Sequence, residues 1–163
     1  MKGLGVWQFR LSRYAGRLAT RLAAILTLGR MPPFVSTSVV VADSGSLLVV
    51  LDPIRHEHIL PGGHLRWSED PALAAIREVR EETGMDVELA GLLGVYSGLT
   101  LAGEMGVVRI VYAGKAVSGE LRSSAEGDAM WIDLGEYAAS SSRDARIVRD
   151  WIERRETSPS DCR

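Results

Sequence analysis

At 163 residues the chain has room for one domain of ordinary size and not for two full ones. Hydrophobic residues at 46% and charged residues at 25% give the balance of a soluble globular protein, and a lone cysteine, Cys162, excludes an intrachain disulfide framework. The net charge of −2 hides a split: residues 1–34 carry Lys2, Arg10, Arg13, Arg17, Arg21 and Arg30 and no acid, while the other 129 carry 13 basic and 21 acidic side chains.

Arg10, Arg13, Arg17 and Arg21 are spaced by three, four and four, which aligns them along one face of a helix. Leu11, Tyr14, Leu18, Leu22 and Ile25 form an apolar stripe at similar spacing, so residues 10–28 are expected to be a basic amphipathic helix ended by Gly29 and Pro32-Pro33. Its apolar run, Leu22 to Leu28, is far short of the roughly 20 residues that span a bilayer. Three readings of this arm stay open. It packs on the domain or on a second copy in a homodimer, it lies on an anionic membrane surface, or it touches a nucleic acid or another polyanion. Nothing firmly specifies a nucleic-acid partner. No targeting signal is convincing, which makes the cytoplasm the expected compartment, although the Arg-rich, acid-free arm has the look of an organelle transit peptide.

Phe34 to Ala42 reads as a strand, Asp43-Ser44-Gly45 as a turn and Leu47 to Leu51 as the second strand of a hairpin. A polar loop carries Arg55, His56 and His58, Ile59-Leu60 reads as a short strand, and Pro61-Gly62-Gly63 reads as a turn or close-approach loop. Asp70 to Thr83 is the clearest helix, with Asp70 as N-cap, Pro71 at the first helical position, Gly84 as stop, and Leu73, Ile76 and Val79 at helical spacing. Trp67 just before it is expected to pack as a staple. Val87 to Ser97 and Val107 to Val117 are two more strands around a loop with Gly98, Gly103 and Gly106. Ala129 to Asp133 is a further short strand, and Ser142 to Arg155 is an amphipathic helix with Trp151 in the core or an interface. The order predicts an α/β (α+β) sheet covered by helices. The expected division is a basic arm over 1–33, one domain over 34–156 and a flexible tail over 157–163.

Glu78, Glu81 and Glu82 share one face of the predicted helix. Like charges at that spacing cost a few tenths of a kcal/mol per pair. Arg77 and Arg80 relieve part of this, and a divalent cation would relieve more. Carboxylate oxygens are hard ligands suited to Mg²⁺ or Mn²⁺. A bare acidic pattern of this kind is common on solvated helices, so the full spacing carries the argument. Gly63 is followed by five residues and Glu69; seven residues later come Arg77 and Glu78, then Val79, Glu81-Glu82, Gly84 and Met85. This stretch resembles the Nudix box, G-x5-E-x7-R-E-U-x-E-E-x-G-U with U aliphatic, and matches every fixed position, Met85 being a loose aliphatic.

The resemblance implies a Nudix-type α/β/α sandwich with a mixed sheet, beyond which the arm lies. It implies a hydrolase that cleaves a diphosphate linkage in a nucleoside diphosphate joined to another group, with Mg²⁺ or Mn²⁺. By that likeness Glu78, Glu81, Glu82 and the Gly63 carbonyl are the metal ligands, Arg77 orients a glutamate, and Glu69 braces the loop. The base is a box glutamate or one beyond it. Glu126, five residues before Trp131 in AEGDAMWID, is the candidate outside the box, with Asp128 a rival and a plain surface glutamate the alternative. PGGHL resembles the loop of some nucleotide-pool members, which favours a (deoxy)nucleoside triphosphate as substrate. ADP-ribose or a nucleotide sugar is the alternative, and a non-catalytic ligand-sensing domain another. Arg55, His64 and Trp131 are the candidate substrate contacts, each against a plainer reading as loop or core.

Overall fold

A computed structural model describes residues 33–53, 55–98, 104–124 and 127–157. The chain divides into two units, Met1–Pro33 and Phe34–Arg163, and the second is the one described. The expected arm helix, Glu126 and most of the tail lie outside the described residues. Among the described residues no helix is long and apolar enough to cross a membrane.

The strands are β1 (Phe34–Asp43), β2 (Ser46–Asp52), β3 (Glu57–Ile59), β4 (Gly62–His64), β5 (Met85–Gly98), β6 (Glu104–Gly119) and β7 (Asp128–Asp133). The helices are α1 (Pro71–Thr83), α2 (Leu134–Ala139) and α3 (Ala145–Thr157). The path through the sheet is β3-β2-β1-β6-β5, with β4 paired to β1 and β7 to β2. β1 runs parallel to β6 and antiparallel to β2 and β4, so the sheet is mixed.

The valine and leucine runs of β1 and β2 are continuous because both faces are covered. Val39, Val41 and Leu48 face α1 through Ala75 and Val79. Val40, Leu47 and Val49 face the other way, onto Tyr137, Ile147, Val148 and Trp151 of α2 and α3. The expected hairpin is present, with Ala42 opposite Leu47 and Asp43 opposite Ser46. Trp151 is buried, with the Arg155 guanidinium 4.8 Å over its ring.

Several expectations need correction. Gly62 and Gly63 are not a turn: Gly62–His64 is a strand that pairs Thr37 with Gly63 and Ser36 with His64. Trp67 is no staple; it is 97% exposed, in a tight bend where Ser68 has φ 60°. Leu73 is 64% exposed although it fitted the helical count. It lies two residues before Ala75, about 200° around the helix from the buried stripe. Gly98 and Gly106 belong to β5 and β6. The short helix α2 was not expected. Its N-cap Asp133 accepts from Glu136 N–H at 2.7 Å, and the Tyr137 hydroxyl donates to the His58 carbonyl at 2.9 Å. Burial raises the pKa of that phenol and keeps it a donor.

Candidate functional site

α1 starts where the sequence specifies. Asp70 accepts from Ala72 and Leu73 N–H at 2.8 and 3.1 Å, a cap worth about 1 kcal/mol. Its end is Gly84, at φ 75°, whose N–H donates to the Arg80 carbonyl. Alanines 74 and 75 on the inner face bring the helix close to β1, and the outer face is left to charge.

Arg77 organises that face. Its Nε and Nη2 grip the two oxygens of Glu69 at 2.7 and 2.8 Å, and its Nη1 reaches Glu78 at 2.7 Å and Glu81 at 3.1 Å. The bidentate fork fixes direction as well as charge. Glu69 also accepts from Arg66 N–H at 2.8 Å. These hydrogen bonds, Arg77's first, pull the Glu69 carboxyl down to about 2. Glu69 in turn is the main cause of a raised pKa on Arg77, so the pair stays ionised across ordinary pH. The Arg66 side chain touches Glu81 at 3.1 Å, an exposed contact worth about 0–1 kcal/mol.

Glu82 points the other way. It is buried and accepts from Gly62 N–H at 2.8 Å, which ties α1 to β4. Gly63 lies against Glu78: a Cβ built there would stand 2.5 Å from the carboxylate carbon and 2.6 Å from Oε1. No side chain fits between them. Thr37, opposite Gly63 in β1, has a buried hydroxyl without a hydrogen-bond partner.

A divalent cation fits this donor set in chemistry. The oxygens are all hard, and Glu78 and the Gly63 backbone are in direct apposition. Among the described residues no three acidic or histidine side chains already converge on one point. Glu78, Glu81 and Glu82 instead close on Arg77, Arg66 and Gly62 N–H.

The other candidates are dispersed. His64 is exposed, and strand alternation turns it to the face opposite Gly63, where its ring meets Phe34 edge-on at 6.2 Å. Arg55 sits in the β2–β3 turn with its N–H on Asp52 at 3.2 Å. Trp131, opposite Leu48, packs half-buried against the cluster beneath α1. Asp128 is exposed at the start of β7. Sequence reasoning missed Arg66, although its place three residues before Glu69 was a local signal. It also missed Thr37, for which there was none.

The NUDIX domain family matches residues 32–152. A MutT-like protein of Streptomyces ambofaciens is 39% identical over 111 residues, 66% of this chain and 70% of that protein. An ADP-ribose pyrophosphatase of Methanocaldococcus jannaschii is 27% identical over 124 residues, 74% of this chain and 73% of that one. Among solved structures, a MutT Nudix hydrolase from Burkholderia pseudomallei superposes with a TM-score of 0.62 at 28% identity, covering 72% of this chain and 96% of its own. With the complete box on a mixed sheet between helices, these matches make the chain a member of the Nudix hydrolase family, enzymes that act on phosphorus-containing acid anhydrides.

Proposed function

We propose that the chain hydrolyses the diphosphate linkage of a nucleoside diphosphate joined to another group, with a (deoxy)nucleoside triphosphate as preferred class, by attack of water on phosphorus. The observation that carries this reading is the Arg77 fork, which holds Glu69, Glu78 and Glu81 together while Gly62 N–H holds Glu82. Glu78, Glu81, Glu82 and the Gly63 carbonyl would hold a divalent cation, Mg²⁺ or Mn²⁺. When bound, that cation neutralises the diphosphate and lowers the pKa of a bound water.

The chain's own residues do the rest. Arg77 pairs with Glu78 beside Gly63, and Gly62 N–H fixes the Glu82 carboxylate. Glu81, 51% exposed against 12% for Glu78, is the more accessible base and takes the proton of the attacking water at a carboxylate oxygen. Glu126 is the alternative base. His64, whose exposed ring stands edge-on to Phe34 on the face opposite Gly63, is proposed as a substrate contact reached from that side. Arg55 and Trp131 are proposed as more distant contacts.

The second reading, ADP-ribose, is favoured by the name of the archaeal relative. A panel of nucleoside triphosphates, ADP-ribose and nucleotide sugars with Mg²⁺ or Mn²⁺ tests both. A triphosphate is expected to exceed ADP-ribose in kcat/KM by about tenfold or more, a gap of about 1.4 kcal/mol in transition-state binding. The reverse order selects ADP-ribose. No turnover of any compound refutes hydrolysis and leaves a sensing domain.

A further inference from the structure

Asp144 is fully buried on the side of the sheet away from α1. Its backbone carbonyl accepts from Val148 N–H at 3.2 Å, which makes it the residue that opens α3. An aspartate there ordinarily caps its own helix. This one turns both oxygens elsewhere. Oδ2 accepts from Leu60 N–H at 3.0 Å, and Oδ1 accepts from Arg109 Nη1 at 2.8 Å. The Arg143 Nε stands 3.7 Å from Oδ1.

Leu60 is the first residue of a short path into the site. The next residue, Pro61, accepts from Val39 N–H at 3.1 Å. The one after, Gly62, donates to Glu82, and Gly63 lies against Glu78. Four consecutive residues thus run from a carboxylate on one side of the sheet to two carboxylates on the other. A buried ion pair is a weak source of stability, since well-packed apolar residues of similar volume often replace it at no net cost. Its directional contacts with Leu60 and Arg109 are what such a replacement would lose.

We propose that Asp144, held by Arg109, is a positioning residue that sets the Leu60–Gly63 segment against Glu78 and Glu82 and so tunes the affinity of the site for a divalent cation. This rests on the reading that the box carboxylates hold that cation.

The test uses the full chain and reads Mn²⁺ binding by electron paramagnetic resonance, with kcat and KM for the best nucleotide alongside. Arg109→Met with Asp144→Leu removes both charges together and leaves Leu60 N–H without an acceptor. Arg109→Met with Asp144→Asn also removes both charges and keeps the acceptor. The first is expected to weaken Mn²⁺ binding about tenfold or more and to lower kcat at nearly constant KM. The second is expected to recover affinity to within about threefold of the parent, with slow Leu60 amide exchange restored. Equal Mn²⁺ affinity in the parent and both double variants would overturn the proposal and leave a structural ion pair. A raised KM with Mn²⁺ affinity intact would overturn it in favour of a substrate contact. If the first double variant does not fold, the α-hydroxy acid analogue of leucine at position 60 exchanges the N–H for an ester oxygen, keeps the buried side chain and must weaken Mn²⁺ binding similarly. Glu82→Gln separates the underlying reading: if it binds Mn²⁺ like the parent, the box carboxylates are not the site.

Discussion

Across one sheet, α1 and α3 meet the same strands with different residues. α1 rests on alanines and Val79, and gives its outer side to Arg77, Glu78 and Glu81. α3 inserts Ile147, Val148 and Trp151 into a larger cluster and carries Arg154 and Arg155 in its last turn. Small residues under α1 bring its backbone near β1 and β4, so that Glu82 and Glu78 reach Gly62 and Gly63. Large residues under α3 bury more area, at about 25 cal/mol per Å². One side is organised for proximity of charge and the other, apart from the buried Asp144–Arg109 pair, for adhesion.

Perturbing each side separately tests that division. The largest effect is expected from Glu82→Gln. The amide can still accept from Gly62 N–H, while the negative charge is gone. Turnover should fall on the order of a thousandfold with the melting temperature near the parent's. A loss of less than tenfold would remove Glu82 from the working site.

Trp151→Ala is the counterpart on the α3 side. It should cost about 3–5 kcal/mol in a urea melt and leave Mn²⁺ affinity of the folded protein unchanged. If metal affinity falls in step with stability, the packing of α3 as a whole, and not the Asp144 contact alone, reaches the site.

The smallest effect is a matter of pH. The Glu69 carboxyl titrates at about 2 in the folded chain, against an ordinary value of 4.5. Its contribution is therefore complete above about pH 4.5 and disappears as pH falls toward 2. Glu69→Gln should melt below the parent at pH 7, and the gap should close between pH 4.5 and 2. A gap unchanged at pH 2 would mean that the Arg77 fork is not its cause.

The box was legible because its spacing is helical: Arg77, Glu78 and Glu81 are neighbours by counting, whereas Glu82 turns inward to Gly62 N–H. Asp70, Pro71 and Gly84 announced the helix ends through local backbone chemistry. Leu73 misled because an apolar residue at a permitted spacing does not say which face is buried; the alanines do. Gly62–His64 resembled a turn by composition, and only its pairing with β1 makes it a strand. The contacts of Asp144 with Leu60 and Arg109 join residues 84 and 35 positions apart, and no local pattern encodes them.

The parallel pairing of β1 with β6 joins residues 34–41 to 107–114. The whole box segment lies inside the loop that this pairing closes. The entropy of closing it is lost before the pairing returns anything. α1 can gain helix early from its own cap, yet Gly62–His64 finds its neighbours only on a β1 already in place. Helical signal and a finished site therefore arise at separate moments of refolding, the second waiting on a contact made far along the chain.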